Sequence, residues 1–288
     1  MKTKLLSLLT VSLLAGMSLP AANIAWVSFH AADNAPSSAA AGAGFTNAPD
    51  AGYTALLTAN GHTVTRFLRV ADLQNLPDLI TALNTNDLVI VSRSVPSGDF
   101  DSLPETAAWN TSITVPMISV NGYINRANRL GFNTGDTIPD VNSSQMRLRV
   151  LYRAHPIFAG VSLNDTNLMI NPYAERVTFT NATTGATTLQ NGISVVTSAM
   201  RAGGSLLATV GTPGDAAIGG MVIAEFPAGV TSQRGDVLAN KRLVFLTGSR
   251  ESGITSEGAG IYDLQPDGAQ MFLNAVNYLT TPQRSEEH

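Results

Sequence analysis

Apolar and polar residues alternate along the first half of the chain in a pattern that switches between strand and helix periods. Ile24 to Phe29 (IAWVSF) is a short apolar run, and Asp50 to Asn60 places Tyr53, Leu56 and Leu57 at helical spacing before Gly61 ends it. His62 to Leu68 (HTVTRFL) alternates as a strand would. The unit repeats. Leu73 to Leu83 predicts a helix, Asp87 to Ser92 a buried strand, Ser102 to Trp109 a short helix, and Val115 to Val120 another buried strand that runs through Asn121 and Gly122 into a helix-compatible segment. Strands separated by helices of this length imply a parallel sheet with right-handed crossovers.

Two stretches depart from the pattern. Ala31 to Thr46, rich in Ala, Gly and Ser, predicts a long loop at the carboxyl end of the first strand, either a flexible insertion or a lid over a ligand. From about Asn133 the text becomes Thr- and Asn-rich, with short β-like runs at Arg147 to Leu151, Arg176 to Phe179, Ile193 to Thr197, Gly203 to Thr209 and Gly220 to Phe226. This stretch, 133–230, predicts antiparallel strands added to a sheet edge or a small β-rich insertion. Arg242 to Thr247 then returns as an apolar strand, and Gln265 to Leu279 predicts a C-terminal helix with Met271, Phe272, Ala275 and Leu279 toward the core.

At 288 residues, 44% of them hydrophobic and 13% charged, the chain can bury a sizeable core. Its formal charge of -4 and its scattered basic residues argue against nucleic acid and favour a small neutral molecule or a glycan as partner. Lys2 and Lys4 before the apolar run Leu5 to Leu14, with small residues after it, predict a signal peptide over 1–22 and export to the periplasm or beyond. No later run is long enough to span a bilayer, so no stable membrane insertion is expected after cleavage. A single domain over 23–281 and a tail over 282–288 complete the organisation. There is no cysteine, so no disulfide framework exists and no thiolate can act.

The strand IAWVSFH, the GHTVTRF step, DLVIVSRSV, the elbow PMISVNGY, AHPIFAGV (Ala154 to Val161) and KRLVFLTGSRE followed by LNAVNYL together resemble the class I glutamine amidotransferase-like superfamily, in its trehalose-utilisation (ThuA-like) branch. The resemblance covers most of residues 23–281. It implies a flavodoxin-like three-layer α/β sandwich with a mostly parallel sheet, and a site at the elbow. Working amidotransferases of this superfamily carry a cysteine at the elbow and a His and Glu after the last strand. Here Asn121 stands at the elbow, and Ser249, Arg250 and Glu251 follow the strand without a histidine, so thioester glutaminase chemistry is excluded.

No G-x-S-x-G, H-E-x-x-H or EF-hand pattern occurs, and neither a metal nor a cofactor is expected. Putting the strand ends together predicts a carboxyl edge that carries His30, Arg93 with Ser94, Asn121 with Tyr123, and Arg250 with Glu251. His155, in the HPI turn, reads either as a ligand contact or as a structural residue. His62 reads as a surface or edge residue. Three functions fit: a small-ligand or carbohydrate-handling protein without glutaminase chemistry, with Asn121 orienting its ligand; a glycan or polymer hydrolase with Glu251 or Glu225 as acid or base and His30 assisting; or a non-catalytic surface interaction module.

Overall fold

The computed structural model describes residues 21–141, 146–174, 178–189, 192–249 and 260–281. Strands β1 (Asn23–Ser28), β2 (Thr63–Leu68), β3 (Leu88–Val91) and β4 (Met117–Ser119) are joined through helices α1 (Ser38–Gly42), α2 (Ala51–Ala59), α3 (Pro77–Asn84) and α4 (Leu103–Ala107). Five short strands follow in the 133–230 stretch or beside it: β5 (Leu148–Val150), β6 (Leu168–Met169), β7 (Thr178–Thr180), β8 (Thr187–Leu189) and β9 (Ser205–Val210). Strands β10 (Met221–Phe226) and β11 (Arg242–Phe245) precede the C-terminal helix α5 (Pro266–Thr280).

One large sheet runs in the order β2-β1-β3-β4-β11-β10-β9-β5-β6. It is parallel from β2 through β11 and antiparallel from there to β6. The burial follows from this position. β1, β3, β4 and β11 are flanked on both sides and are apolar almost without interruption, whereas β2 lies at an edge and interleaves Thr63, Thr65 and Phe67 with Val64, Arg66 and Leu68. The run Ile193 to Thr197 is not a strand; Ser194 and Val196 instead make single bridges to Asp140 and Met221. The β7-β8 hairpin forms a separate small sheet.

Local chemistry sets the helix limits. Gly61, at φ +90°, follows α2, and its N–H and that of His62 return to Thr58 and Leu57, a left-handed cap that glycine adopts without cost. The helix expected over Leu73 to Leu83 is broken into a 3-10 turn (Leu73–Asn75) and α3, because Pro77 holds Leu76 at φ -121°, outside the helical region. Within the expected loop Ala31 to Thr46, Ser37 caps a short alanine helix, its hydroxyl accepting the Ala40 N–H at 3.2 Å. After Asn121 the chain makes a 3-10 turn (Gly122–Asn125) and not an α-helix.

Among the described residues no helix is long and apolar enough to cross a membrane.

Candidate functional site

Four parallel strands deliver polar residues to their carboxyl ends: Ser28 and His30 after β1, Ser92, Arg93 and Ser94 after β3, Asn121 after β4, and Thr247 with Ser249 after β11. All of them are buried. Buried hydroxyls and charges require partners, and one carboxylate supplies many of them. Asp50, the residue before α2, points its Oδ2 into the strand ends and accepts from Trp26 Nε1 at 3.0 Å, Ser28 Oγ at 2.7 Å and Ser92 Oγ at 2.5 Å. Its Oδ1 accepts from Arg66 of β2 at 2.9 Å. The Ser94 hydroxyl lies 3.0 Å from Ser92 Oγ and accepts the Phe29 N–H at 3.2 Å, which closes a network across β1, β3 and α2.

Burial alone would raise the pKa of Asp50, but Arg66 and the serine hydroxyls outweigh it and hold the carboxylate below its ordinary value. A second carboxylate, Asp263, serves β11. It accepts from Thr247 Oγ1 at 2.7 Å, from Tyr53 OH at 2.9 Å and from the Gly248 N–H at 3.1 Å. Burial dominates there and raises its pKa, the hydrogen bonds from Thr247, Gly248 and Tyr53 offsetting only part of the desolvation. The ring of Tyr53 stacks on Trp26 at 5.8 Å between centroids, so α2 links the two carboxylate clusters.

The structure brings His30, Arg93, Ser94, Asn121 and Tyr123 to one edge, as the strand ends require. His30 accepts the Ser37 N–H at Nδ1 (3.0 Å), which ties it to α1 and places its ring proton on Nε2. Asn121 is a backbone clamp. Its amide donates to Val95 O at 2.7 Å and Arg93 O at 3.3 Å, and its Oδ1 accepts the Tyr123 N–H at 2.9 Å. The Arg93 guanidinium lies over the Tyr123 ring at 5.1 Å. Arg250 and Glu251 lie outside the described residues.

His155 lies apart from this group. Its Nε2 is 3.7 Å from Glu225 Oε2, too long for a hydrogen bond but within ion-pair reach, and its ring packs edge-on against Tyr278 of α5. Glu225 on β10 is in register with Leu243, Ile118, Ile90 and Trp26 across the sheet. Four strand spacings of about 4.8 Å therefore separate it from β1 by roughly 19 Å, and Glu225 cannot work with His30 as an acid-base pair. His62 is buried instead of lying at the surface, with Nδ1 accepting the Ala22 N–H at 3.3 Å.

A cavity of about 260 Å³ opens beside the carboxyl edge. Residues 44–49 form one wall and β7 with Ala182 of the hairpin turn forms the other, while Ile261 closes it. Phe45 and Phe179 stack at 4.1 Å between centroids where the two walls meet, and Asn181 Nδ2 donates to Ala43 O at 2.9 Å. Ala48 and Pro49 lead directly into Asp50, and Ile261 accepts the Ser249 N–H and precedes Asp263 by two residues. The remaining lining is Thr46, Asn47, Thr178 and Thr180 with small residues, and no charged side chain is among it. Among the described residues no group of three or more His, Asp or Glu side chains could hold a metal ion.

Sequence reasoning missed Asp50 and Asp263; it marked the β-like run Arg176 to Phe179, where β7 lies, but neither its partner β8 nor the wall that the hairpin makes. A signal for the first did exist: β1 ends on Ser28 and β3 runs straight into Ser92, and buried serines at adjacent strand ends call for a shared acceptor.

No family model matches the chain, and no curated protein matches it. Among solved structures, it is similar to Cytoplasmic Protein STM1381 from Salmonella typhimurium LT2, at 11% identity over 90% of this chain and 100% of that one with a TM-score of 0.47. It is also similar to Cytoplasmic Protein STM3548 from Salmonella typhimurium, at 9% identity over 89% of this chain and 98% of that one with a TM-score of 0.45. Both of those proteins are named as cytoplasmic, in contrast to the export expected from residues 1–22, of which 1–20 lie outside the described residues.

Proposed function

We propose that this protein binds a small neutral, hydroxyl-rich ligand of the carbohydrate class in the cavity beside the carboxyl edge, on a flavodoxin-like scaffold of the amidotransferase-like kind that lacks glutaminase chemistry. The uncharged lining carries the reading. Three threonines and an asparagine supply hydroxyl and amide groups that match sugar hydroxyls, and the Phe45–Phe179 pair supplies an apolar wall. A charged ligand entering this cavity would lose water without gaining a counter-charge. The volume, about 260 Å³, lies below the range typical for drug-sized ligands and suits a molecule of one sugar ring.

The Asp50 network supports this reading indirectly. Its hydroxyls and carboxylate bond chiefly to each other, so it fixes the rim at Ala48 and Pro49 and is not spent on the ligand. No acid-base pair is assigned, and the role proposed is binding.

The test is calorimetric titration of neutral mono- and disaccharides into the wild-type protein and the Phe179→Ala variant. Saturable binding by at least one sugar, weakened at least tenfold in Phe179→Ala, is the expected result. Absence of binding across the panel, or equal affinity in the variant, overturns the proposal.

A further inference from the structure

Beyond the 3-10 turn that follows β4, two loops bring three arginines together with no carboxylate of the described residues within ion-pair distance. Arg126 ends the turn, and the Arg129 and Gly131 N–H groups both return to Arg126 O at 3.0 Å. Arg234 lies in the loop closed by the Thr231–Val237 bridge. The loops are locked to each other: the Gln233 N–H donates to Gly131 O at 2.8 Å, and a Cβ on Gly131 would lie 2.9 Å from the Arg234 nitrogen. Gly131 also has φ +75°, so the close approach and the backbone both demand glycine.

The acceptors of these guanidinium groups are neutral. Arg126 donates to Tyr123 O at 2.9 Å and Ser97 Oγ at 3.0 Å, Arg129 to Asn128 O at 2.8 Å, and Arg234 to Asp101 O at 3.0 Å. The Nε atoms of Arg129 and Arg234 are buried with no acceptor. Ion pairs among the described residues involve Arg66, Arg69, His155 and Lys241 and none of these three arginines. In a chain where acidic residues outnumber basic ones, 21 to 17, ion pairing would be the easy outcome, and three half-buried guanidiniums, two of them with a buried Nε, instead point at neutral acceptors.

We propose that Arg126, Arg129 and Arg234 form a binding site for a phosphate-type oxyanion, either inorganic phosphate or the phosphate group of a larger ester. Forks arriving from two separate loops suit a tetrahedral anion with oxygens in several directions better than a planar carboxylate, which one guanidinium can satisfy alone. The electrostatics agree. Burial lowers the pKa of Arg129, and Arg126 and Arg234 lower it further, while Asp101 and Asp136 offset part of that repulsion. An anion would relieve what remains. The site shares no residue with the cavity lining, so it stands or falls independently of the sugar-binding role.

The experiment titrates inorganic phosphate, glycerol phosphate and acetate at constant ionic strength, read by calorimetry and by the Arg Nε–H signals in nitrogen-proton NMR. Phosphate should bind saturably and shift the Arg129 and Arg234 Nε–H signals, acetate should not, and Arg129→Gln or Arg234→Gln should weaken binding at least tenfold. Tighter binding of glycerol phosphate identifies an ester as the ligand, and equal or weaker binding identifies free phosphate. No saturation, equal binding of acetate, or unchanged affinity in a folded variant overturns the proposal. Should both variants fail to fold, the wild-type Nε–H signals decide, and their failure to move with phosphate overturns it as well.

Discussion

The guanidinium of Arg66 lies 2.9 Å from the carboxylate of Asp50, and its other contact is Asp33 in the segment that leads to the cavity wall. Asp50 is almost fully buried and Arg66 nearly so, while Asp33 is largely exposed, so one arginine joins the polar interior at the strand ends to a surface loop. Removing one partner from a buried pair leaves the other charge uncompensated. Arg66→Ala should therefore cost about 3–5 kcal/mol of stability, measured by denaturant unfolding. A cost under about 1 kcal/mol, the range of an exposed pair, would show that water reaches Asp50.

The same pair fixes the acid limb of the stability curve. The pKa of Asp50 in the folded protein lies below the ordinary 3.8 of an unfolded aspartate, so its contribution is fully present above that value and is lost as pH falls below it through the depressed folded pKa. Asp50→Asn should flatten stability against pH in that window. An unchanged acid slope in the variant would place the responsible group elsewhere.

Asn121 makes a prediction that separates clamp from ligand contact. Asn121→Asp removes both donors and sets a carboxylate against the Arg93 and Val95 carbonyls, so it should lose about 2–4 kcal/mol through unsatisfied buried groups and repulsion. A variant of wild-type stability with altered ligand affinity would reverse that assignment.

Much of the architecture was legible because it depends on local pattern. A strand flanked on both faces must be apolar throughout, and Asp87 to Ser92 and Arg242 to Thr247 are such runs; the structure contains β3 and β11 there. The polar interior was harder to read because it is assembled from distant segments. Trp26, Asp50 and Arg66 look unrelated in the sequence, and only the β2-β1-β3 strand order brings them into contact. Asn121 was visible at its turn, but its role depends on the Arg93 and Val95 carbonyls of the neighbouring crossover. The hairpin over the cavity left only a partial trace, the run Arg176 to Phe179 that overlaps β7, since β7 and β8 are three residues each and pair only with one another.

That hairpin should open without unfolding the sheet. Among the described residues its contacts with the rest of the protein include the Phe45–Phe179 stack, the Asn181 bond to Ala43 O and the Ala182 N–H bond to Gly44 O, few enough for local opening. Phe45→Ala should speed amide exchange in β7 and β8 at least tenfold while the amides of β1 and β3 keep their protection. Uniform loss of protection across the sheet would show that the wall and core unfold as one unit.

Gly268 tests packing against helix propensity, because the two make opposite predictions for one substitution. It lies in the first turn of α5, where replacing glycine by alanine in an exposed helix would gain about 1 kcal/mol. Here the added Cβ would lie 1.9 Å from the carbonyl oxygen of Pro172 and 3.3 Å from Leu264. The obstacle is backbone, held by the Gln265 N–H that donates to Pro172 O at 3.1 Å, and it cannot rotate away as a side chain would. Relief requires the helix start to lift from residues 172–174, against the bridge between Tyr173 and Leu264 and the Tyr173 hydroxyl bond to Leu246 O at 2.8 Å. Overpacking of a closed interior costs about 1–3 kcal/mol, so sterics win and Gly268→Ala should lower stability despite its better helix propensity. A stabilised variant, measured by thermal or denaturant unfolding, would mean that α5 can shift at its first turn and that its anchorage lies further along, at Met271 and Phe272.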